Sequence, residues 1–351
     1  MKAAMRLVCL VAAGWIIPAG TILARQVAAP SNTNTCVSCH KELSDSKLSA
    51  PVNEAQNGVH ASHGLSCVNC HGGDAAQSEK KLAMNPAEGF IGRPRPGAVA
   101  AFCGRCHSDA AFMKTYNPAL RVDQETEYRT SVHSKRIAEG DPKPATCINC
   151  HGHHGVRAVK DTSSPVYPTH VAETCGRCHA HTDYMKPYNI PTDQLAKYET
   201  SVHADALLKK RDLSAPTCND CHGNHGAAPP GVASVVNVCG KCHVRQSDLF
   251  QQSPHKPVFE ALGVGDCLAC HNNHATVHPT DAMLGNDKQA VCTTCHTEGD
   301  AFIAAGRMRR AVGILAERIG SAETVLDRGT NLGMEVSRVR FELNDARNHL
   351  I

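Results

Sequence analysis

Aromatic residues are scarce in this chain of 351 residues: they make up 4% of it, and the single tryptophan, Trp15, lies near the N-terminus. Glycine (27) and proline (19) are frequent, which favours loops over regular sheet. The formal net charge is only +3 and no long run of Lys and Arg occurs, so nucleic-acid binding is not expected. With so few large side chains, we expect something else to supply much of the buried apolar surface.

Cysteine (19) and histidine (22) are far more frequent than packing requires, and most of them share one pattern. Eighteen cysteines fall into nine copies of Cys-x-x-Cys-His, and the nineteenth, Cys9, lies in an N-terminal apolar run. The nine copies are Cys36, Cys39, His40; Cys67, Cys70, His71; Cys103, Cys106, His107; Cys147, Cys150, His151; Cys175, Cys178, His179; Cys218, Cys221, His222; Cys239, Cys242, His243; Cys267, Cys270, His271; and Cys292, Cys295, His296.

The histidine that follows the second cysteine in all nine copies excludes the common explanations of Cys-x-x-Cys. Zinc sites and disulfide frameworks do not need that histidine, and a thioredoxin-like dithiol would occur once, on an α/β pattern. Covalent haem attachment needs all three residues, because two thioethers hold the haem vinyl groups and the histidine is the proximal iron ligand. The motifs therefore predict nine covalently attached haem c groups.

With these motifs the chain resembles the multihaem c-type cytochromes, and the resemblance covers residues 36–296. It implies export of the apoprotein, haem attachment outside the cytoplasmic membrane and a close-packed chain of haems. The porphyrins would then form much of the core. We expect a mostly α-helical fold with extensive loop and little or no sheet, in which short helices surround each motif.

The motifs are arranged as one followed by four pairs, and the pairs are internal repeats. The stretch 103–133 matches the stretch 175–203, and 239–255 is a shorter version of both. Each stretch leads into the first motif of the next pair. This indicates a duplicated two-haem unit. The pairs begin at Cys67, Cys147, Cys218 and Cys267.

The repeat also places histidines outside the motifs, and these are the candidate distal ligands. An upstream histidine ends an SVH or SPH sequence before a pair, and a downstream histidine follows the first motif of a pair. The first pair differs, because HGGD follows Cys70 and both His60 and His63 precede Cys67. The predicted distal ligands are His60, His63, His133, His154, His170, His203, His225, His255 and His274. The histidines left over are His153, His181, His278 and His349.

Methionine is the alternative distal ligand, and it would raise the reduction potential. Met113 and Met185 occupy equivalent repeat positions, each in an aromatic stretch (FMKTY, YMKPY) that is better explained by packing against a haem face. Mostly bis-histidine iron implies low potentials and no open coordination site.

Three second motifs contain a cation between their cysteines: Arg105, Arg177 and Lys241. We expect each cation either to pair with a haem propionate or to face solvent.

The chain is expected to have three segments. Residues 1–24 have the layout of a secretory signal peptide, or form an uncleaved membrane anchor that would hold the protein at the membrane. Residues 30–298 form the nine-haem domain. Residues 299–351 carry an apolar heptad stripe that slips near 329–333, which predicts a long amphipathic helix or a helical hairpin. This segment either packs on the haem domain or mediates oligomerisation.

Together these features predict a periplasmic or otherwise extracytoplasmic electron carrier, not an enzyme, and no residue is expected to be catalytic. Its redox partners would be a quinol-oxidising or periplasmic donor and a downstream reductase or extracellular acceptor, as in anaerobic or extracellular respiration. Two alternatives remain open. One is a multihaem reductase of a small nitrogen or sulfur oxyanion, which needs a haem with a vacant or weakly held distal position. The other is a cytochrome that polymerises into a conductive filament.

Overall fold

The computed structural model describes residues 34–229 and 235–350, so the expected signal segment, residues 1–24, lies outside the described residues. The described residues form helices, turns and loops and contain no strand. The prediction of a mostly α-helical fold with extensive loop is confirmed.

The α-helices of the described residues are short, apart from the last two. They are α1 (Thr35–Lys41), α2 (Ser46–Gln56), α3 (Val59–Ser62), α4 (Cys67–His71), α5 (Lys80–Ala83), α6 (Pro96–His107), α7 (Ala110–Lys114), α8 (Gln124–Thr130), α9 (Val132–Ala138), α10 (Cys147–His151), α11 (Val171–His179), α12 (Thr182–Met185), α13 (Gln194–Glu199), α14 (Val202–Ala204), α15 (Cys218–His222), α16 (Val235–Gly240), α17 (Val244–Gln251), α18 (His255–Leu262), α19 (Leu268–His271), α20 (Gly299–Asn331) and α21 (Ser337–Leu350). Short 3₁₀ turns span Pro86–Glu88, Pro168–His170, Lys186–Tyr188, Asp281–Met283 and Val291–Thr294, and a π turn spans Asp205–Lys209.

The first motifs of pairs one to three form one-turn helices that are capped at both ends by neighbouring residues. In α10 the backbone N–H of the N-cap Thr146 donates to Oδ1 of Asn149, 2.8 Å away, which lies inside the motif. Gly152 ends this helix with φ at 77°, a conformation that a side chain would strain. The motif sequence therefore specifies its own helix. The same capping box joins Ser66 to Asn69 in α4 and Thr217 to Asp220 in α15.

The second motifs of pairs one and two lie at the C-terminal ends of longer helices, α6 and α11. The preceding turns of these helices bury small apolar residues: Val99 and Ala100 in α6, and Ala172 in α11. The two motifs of a pair thus differ in local structure. The first is a single capped turn, and the second is the end of a helix anchored by packing.

Three backbone hydrogen bonds tie each unit to the next, and we call them unit bridges. The N–H groups of Val59, Val132 and Val202 donate to the carbonyl oxygens of Val156, Ala227 and Thr276, at 2.7, 3.1 and 2.9 Å respectively. Each donor immediately precedes an upstream histidine, and each acceptor lies two residues after a downstream histidine. Every unit bridge therefore holds one upstream and one downstream histidine close together.

Buried apolar side chains are few in the described residues, as the scarcity of aromatics predicts. One small cluster contains Ala172, Tyr198 and Ala204. Several buried residues are serines that cap helices: Ser131 caps α9 and Ser201 caps α14, each accepting a backbone N–H three residues on. Capping of α9 and α14 fixes the helical turns that carry His133 and His203.

The C-terminal segment is a helical hairpin, one of the two forms that the heptad slip predicts. The first turns of α20 pack on the end of the haem domain, where Ala305 and Gly306 are buried and the side chain of Asn286 lies against Gly306. Gly333, at φ 77°, reverses the chain, and α21 returns along α20. Ion pairs link the two helices: Arg340 with Asp327, and Arg347 with Glu323.

None of the helices in the described part of the chain combines the length and the hydropathy needed to cross a bilayer.

Candidate haem-binding site

All eighteen motif cysteines are half-buried or exposed. In the first six motifs both cysteines and the histidine lie in one helix, and in the eighth Cys267 is the N-cap of the helix that holds the other two groups. This is what a porphyrin bound through two thioethers and one imidazole requires. The nine motifs fit nine attachment sites.

We number the nine motifs along the chain. Motifs one and two, three and four, five and six, and seven and eight approach each other through the first cysteine of each motif. The thiols of Cys103 and Cys147 lie close enough for each to shift the pKa of the other. The same proximity joins Cys175 to Cys218 and Cys239 to Cys267. At the first junction, burial and then the charge of Cys67 raise the pKa of Cys36.

Within each pair, the two motifs approach each other at the second cysteine of the first motif. Burial raises the pKa of each of these thiols, and the charge of a cysteine in the next motif raises it further. The neighbours are Cys106 for Cys70, Cys178 for Cys150, Cys242 for Cys221, and Cys292 and Cys295 for Cys270. All eight successive junctions are thus close, and the motifs follow one another in space in the order of the sequence.

Upstream histidines face the second motif of their own pair. The ring centroids of His133 and His179 are 6.1 Å apart, and the other three such pairs are separated by 6.0 to 6.3 Å. Those three are His60 with His107, His203 with His243, and His255 with His296.

Downstream histidines face the first motif of the preceding pair, one unit back along the chain. The ring centroids of His151 and His225 are 6.2 Å apart, with planes inclined by only 9°. The same relation joins His71 to His154 at 6.1 Å and His222 to His274 at 6.0 Å. A unit therefore receives one of its candidate ligands from the next unit.

The separation of these seven ring pairs fits two axial ligands of one iron. A metal–imidazole bond of about 2 Å on each side places the two ring centroids roughly 6 Å apart. Imidazoles in direct van der Waals stacking would lie closer together. The residues present therefore fit a haem iron between each pair of rings.

Backbone carbonyls orient several of the imidazoles through Nδ1. Nδ1 lies 3.0 Å from the Ile91 carbonyl oxygen in His71, and 3.2 Å from that of Ala228 in His222. Nδ1 of His40 is 3.1 Å from the Leu48 oxygen. An imidazole that donates Nδ1–H to a carbonyl offers its Nε2 lone pair to a metal.

Burial favours the neutral, ligating form of these histidines. It lowers the pKa of His133, and the nearby charge of His179 lowers it further. Burial also lowers the pKa of His151, followed by the charges of His225 and His107. An imidazole must be neutral to bind a metal, so this environment favours ligation. The pKa is lowered in the same way in His60, His107, His154, His179, His203 and His274.

Two predicted distal ligands are not brought to a motif histidine. The ring of His63 packs edge-on against Tyr116, with centroids 5.3 Å apart. Nδ1 of His170 lies 3.0 Å from the Ser164 carbonyl oxygen. Within the described residues, His40 and His271 are the motif histidines without a histidine ring at the 6 Å separation. The assignments of His63 and His170 stay predictions.

The equivalence of His60 with His133 and His203 is a relationship that the sequence alignment missed. All three follow a valine that donates a unit bridge, so His60 belongs to the repeat and the first pair is regular on its upstream side. The signal was the shared Val-His dipeptide at 59–60, 132–133 and 202–203.

The sequence did not predict Glu54 as a neighbour of the candidate ligands, because it belongs to no motif or repeat. Its Oε2 lies 3.6 Å from Nδ1 of His153, and that Nδ1 is 2.9 Å from Nδ1 of His154. The left-over His153 therefore contacts a candidate distal ligand.

The motif cations lie at the junctions inside the pairs. Arg105 donates from Nη2 to the Cys70 carbonyl oxygen at 2.6 Å, and Arg177 reaches the Asn149 carbonyl oxygen at 3.5 Å. Each guanidinium thus bridges its own motif to the preceding one. The expected pairing of these cations with haem propionates stays a prediction.

Comparison with known proteins places these motifs among the haem-binding ones. A family model described as a doubled CXXCH motif matches residues 255–301, which include the fourth pair and its upstream histidine. The chain is 26% identical to the multiheme cytochrome MtrA of Shewanella baltica (strain OS185) over 236 residues, covering 57% of this chain and 66% of MtrA. It is 23% identical over 207 residues to the C-type polyheme cytochrome OmcC of Geobacter sulfurreducens, covering 53% of this chain and 25% of OmcC. No solved structure matches.

Proposed function

The chain is a multihaem c-type cytochrome, and we propose that it carries electrons through nine covalently attached haems ordered as their motifs are ordered in the sequence. The haem iron supplies the one-electron change between its ferric and ferrous states. The polypeptide tethers, ligates and orders the haems. The observation that carries the proposal is the set of seven imidazole pairs with ring centroids 6.0 to 6.3 Å apart, three of which join successive units of the chain.

Seven haems are assigned two histidine ligands each. The proximal ligand is the motif histidine, and the distal ligand is the histidine whose ring lies about 6 Å away. The pairs are His71 with His154, His107 with His60, His151 with His225, His179 with His133, His222 with His274, His243 with His203, and His296 with His255. His63 and His170 remain the proposed distal ligands of the other two haems, at His40 and His271.

The unit bridges support this ligand assignment, because each one holds both distal ligands of one pair. The bond from Val132 to Ala227 fixes His133 and His225, which serve the two haems of the second pair. The bonds from Val59 and from Val202 do the same for the first and third pairs. The backbone thus closes each pair with ligands from two units, which keeps successive pairs at a fixed spacing.

Export and the kinds of partner follow from the haem chemistry and from the N-terminal sequence. Haem c is attached outside the cytoplasmic membrane, and residues 1–24 have the layout of an export signal. We place the protein in the periplasm or at the cell surface, between a quinol-oxidising or periplasmic donor and a downstream reductase or extracellular acceptor. The chain covers a quarter to about two thirds of the relatives named above, so this placement rests on its own motifs as much as on theirs.

A multihaem reductase is the second candidate, because His40 and His271 have no histidine ring at ligand separation within the described residues. A haem with a weakly held distal ligand at either motif would bind a small substrate such as nitrite or hydroxylamine. A carrier needs no such position.

Electron paramagnetic resonance of the ferric holoprotein separates the two candidates, and intact-mass spectrometry counts the haems. The carrier predicts nine haem additions and only low-spin signals. A high-spin signal, together with turnover of hydroxylamine or nitrite, would establish the reductase instead. Fewer than nine additions would contradict the proposed chain of haems.

A further inference from the structure

The outer face of α20 carries a line of exposed aliphatic residues. Ile303, Ile314 and Val325 are spaced eleven residues apart, which is three turns of an α-helix and keeps them on one line. Their side chains are 47%, 52% and 65% exposed. The line faces away from Ile319, which is buried.

Four arginines flank this line and give the face a positive charge. Arg307, Arg310, Arg318 and Arg328 lie within about 60° of it at 100° per residue, and all four are exposed. None of them makes an ion pair or a side-chain hydrogen bond within the described residues. The acidic residues on the same face are Asp300, in the first turn, and Glu317.

Three other acidic residues of the hairpin form ion pairs away from this face. Glu323 and Asp327 pair with arginines of α21, on the opposite side of α20. Glu342 pairs with Arg338 within α21. The hairpin therefore directs its unpaired positive charge outwards, beside the exposed aliphatic line.

We propose that this outer face of α20 binds the anionic surface of a lipid bilayer, with the helix lying flat in the headgroup region. A helix that carries aliphatic residues beside unpaired arginines suits that environment, since the side chains enter the interface while the guanidinium groups contact lipid phosphates. The helix from Ile303 to Val325 spans about 33 Å in a straight line, which matches a flat surface better than the curved surface of a small protein. The packed first turns of α20 would hold the haem domain against the membrane.

Vesicle sedimentation of the intact, haem-loaded protein tests this proposal, and the Soret absorbance reports the bound fraction. Vesicles of phosphatidylcholine with phosphatidylglycerol should bind the protein, and vesicles of phosphatidylcholine alone should not. The double variant Arg310→Glu with Arg318→Glu should weaken binding by at least about tenfold, since each arginine near the surface contributes substantially. Ile314→Gln should weaken it less, through the lost apolar contact.

The matched control carries the same change of net charge on a different part of the protein. Lys114 and Lys160 are exposed and lie in the haem domain, so Lys114→Glu with Lys160→Glu should leave binding within about twofold of the unmodified protein. Equal losses in the two double variants would assign the effect to overall charge and overturn the proposal.

Two further outcomes would also overturn it. One is an absence of binding to anionic vesicles at low salt. The other is a dimer by light scattering that Ile314→Gln dissociates, because the face would then belong to a second copy of the chain. An unchanged Soret spectrum and unchanged helicity in each variant exclude misfolding as the cause. Vesicle binding does not depend on electron transfer between the haems, so this experiment tests the membrane proposal independently of the proposed function.

Discussion

The imidazole planes of His151 and His225 lie within 9° of parallel, with their ring centroids 6.2 Å apart. His222 and His274 share this geometry, whereas the pairs formed by upstream histidines are inclined by 40° to 68°. Upstream histidines face second motifs and downstream histidines face first motifs. The angle between axial ligands therefore alternates along the proposed chain of haems.

Replacing one downstream histidine should alter one haem and leave the others unchanged. His225→Met puts a thioether at the distal position of the haem at His151, and a methionine ligand raises the reduction potential, by on the order of 0.1 V. Redox titration should show one haem shifted upwards, and paramagnetic resonance should lose one near-parallel signal. His181→Met, at a histidine not assigned to any iron, is the control. A shift of the same size in the control would contradict the assignment.

Removing a single N–H should test the unit bridge. Val132→Pro deletes the donor to the Ala227 carbonyl, yet proline is favoured at this first position of α9, and Ser131, at φ −67° and ψ 156°, already has the backbone that precedes proline. We expect the two haems ligated by His133 and His225 to lose low-spin character together. Val132→Ala keeps the N–H and should retain both low-spin signals. Loss of only one of them in the proline variant would show that the bridge does not hold both ligands.

The arginine at the first pair junction should raise the reduction potentials of the haems on either side. Arg105 contacts the carbonyl of Cys70 and lies close to Cys103, so its positive charge stands beside the attachment cysteines of two haems. This charge destabilises the ferric state of both haems relative to the ferrous state. Arg105→Met should lower both potentials by roughly tens of millivolts. The fourth pair has Thr294 at this position, and Thr294→Arg should shift potentials upwards. Spectroelectrochemical titration measures both variants, and unchanged potentials in Arg105→Met would refute the electrostatic role.

Haem removal should abolish cooperative folding. Buried apolar residues are few and mostly small in the described part of the chain, and the motif helices are single turns that would be marginal alone. We expect chain produced without haem attachment to show no cooperative thermal transition by circular dichroism, whereas holoprotein melts cooperatively. A cooperative transition in the haem-free chain would mean that side chains alone form a sufficient core.

The local part of the structure was predictable because its causes are local. The capping box of Thr146 and Asn149 and the stop at Gly152 lie within seven residues, so the sequence alone indicates a short helix at that motif. The hairpin at the C-terminus was one of two forms consistent with the slip of the heptad stripe. Gly333 and the ion pairs to α21 selected it.

The amino-acid sequence by itself determined the cofactor chemistry of this protein, since both thioethers and the proximal imidazole of each haem come from five consecutive residues. It also determined most of the candidate distal histidines, because a duplicated unit repeats them. Only the tertiary structure decided which histidine faces which motif: His225 approaches His151 from the next unit, and Val132 must bond to Ala227 for that approach to occur. Such partners are separated by tens of residues, and their meeting depends on how whole units pack, which no local pattern encodes.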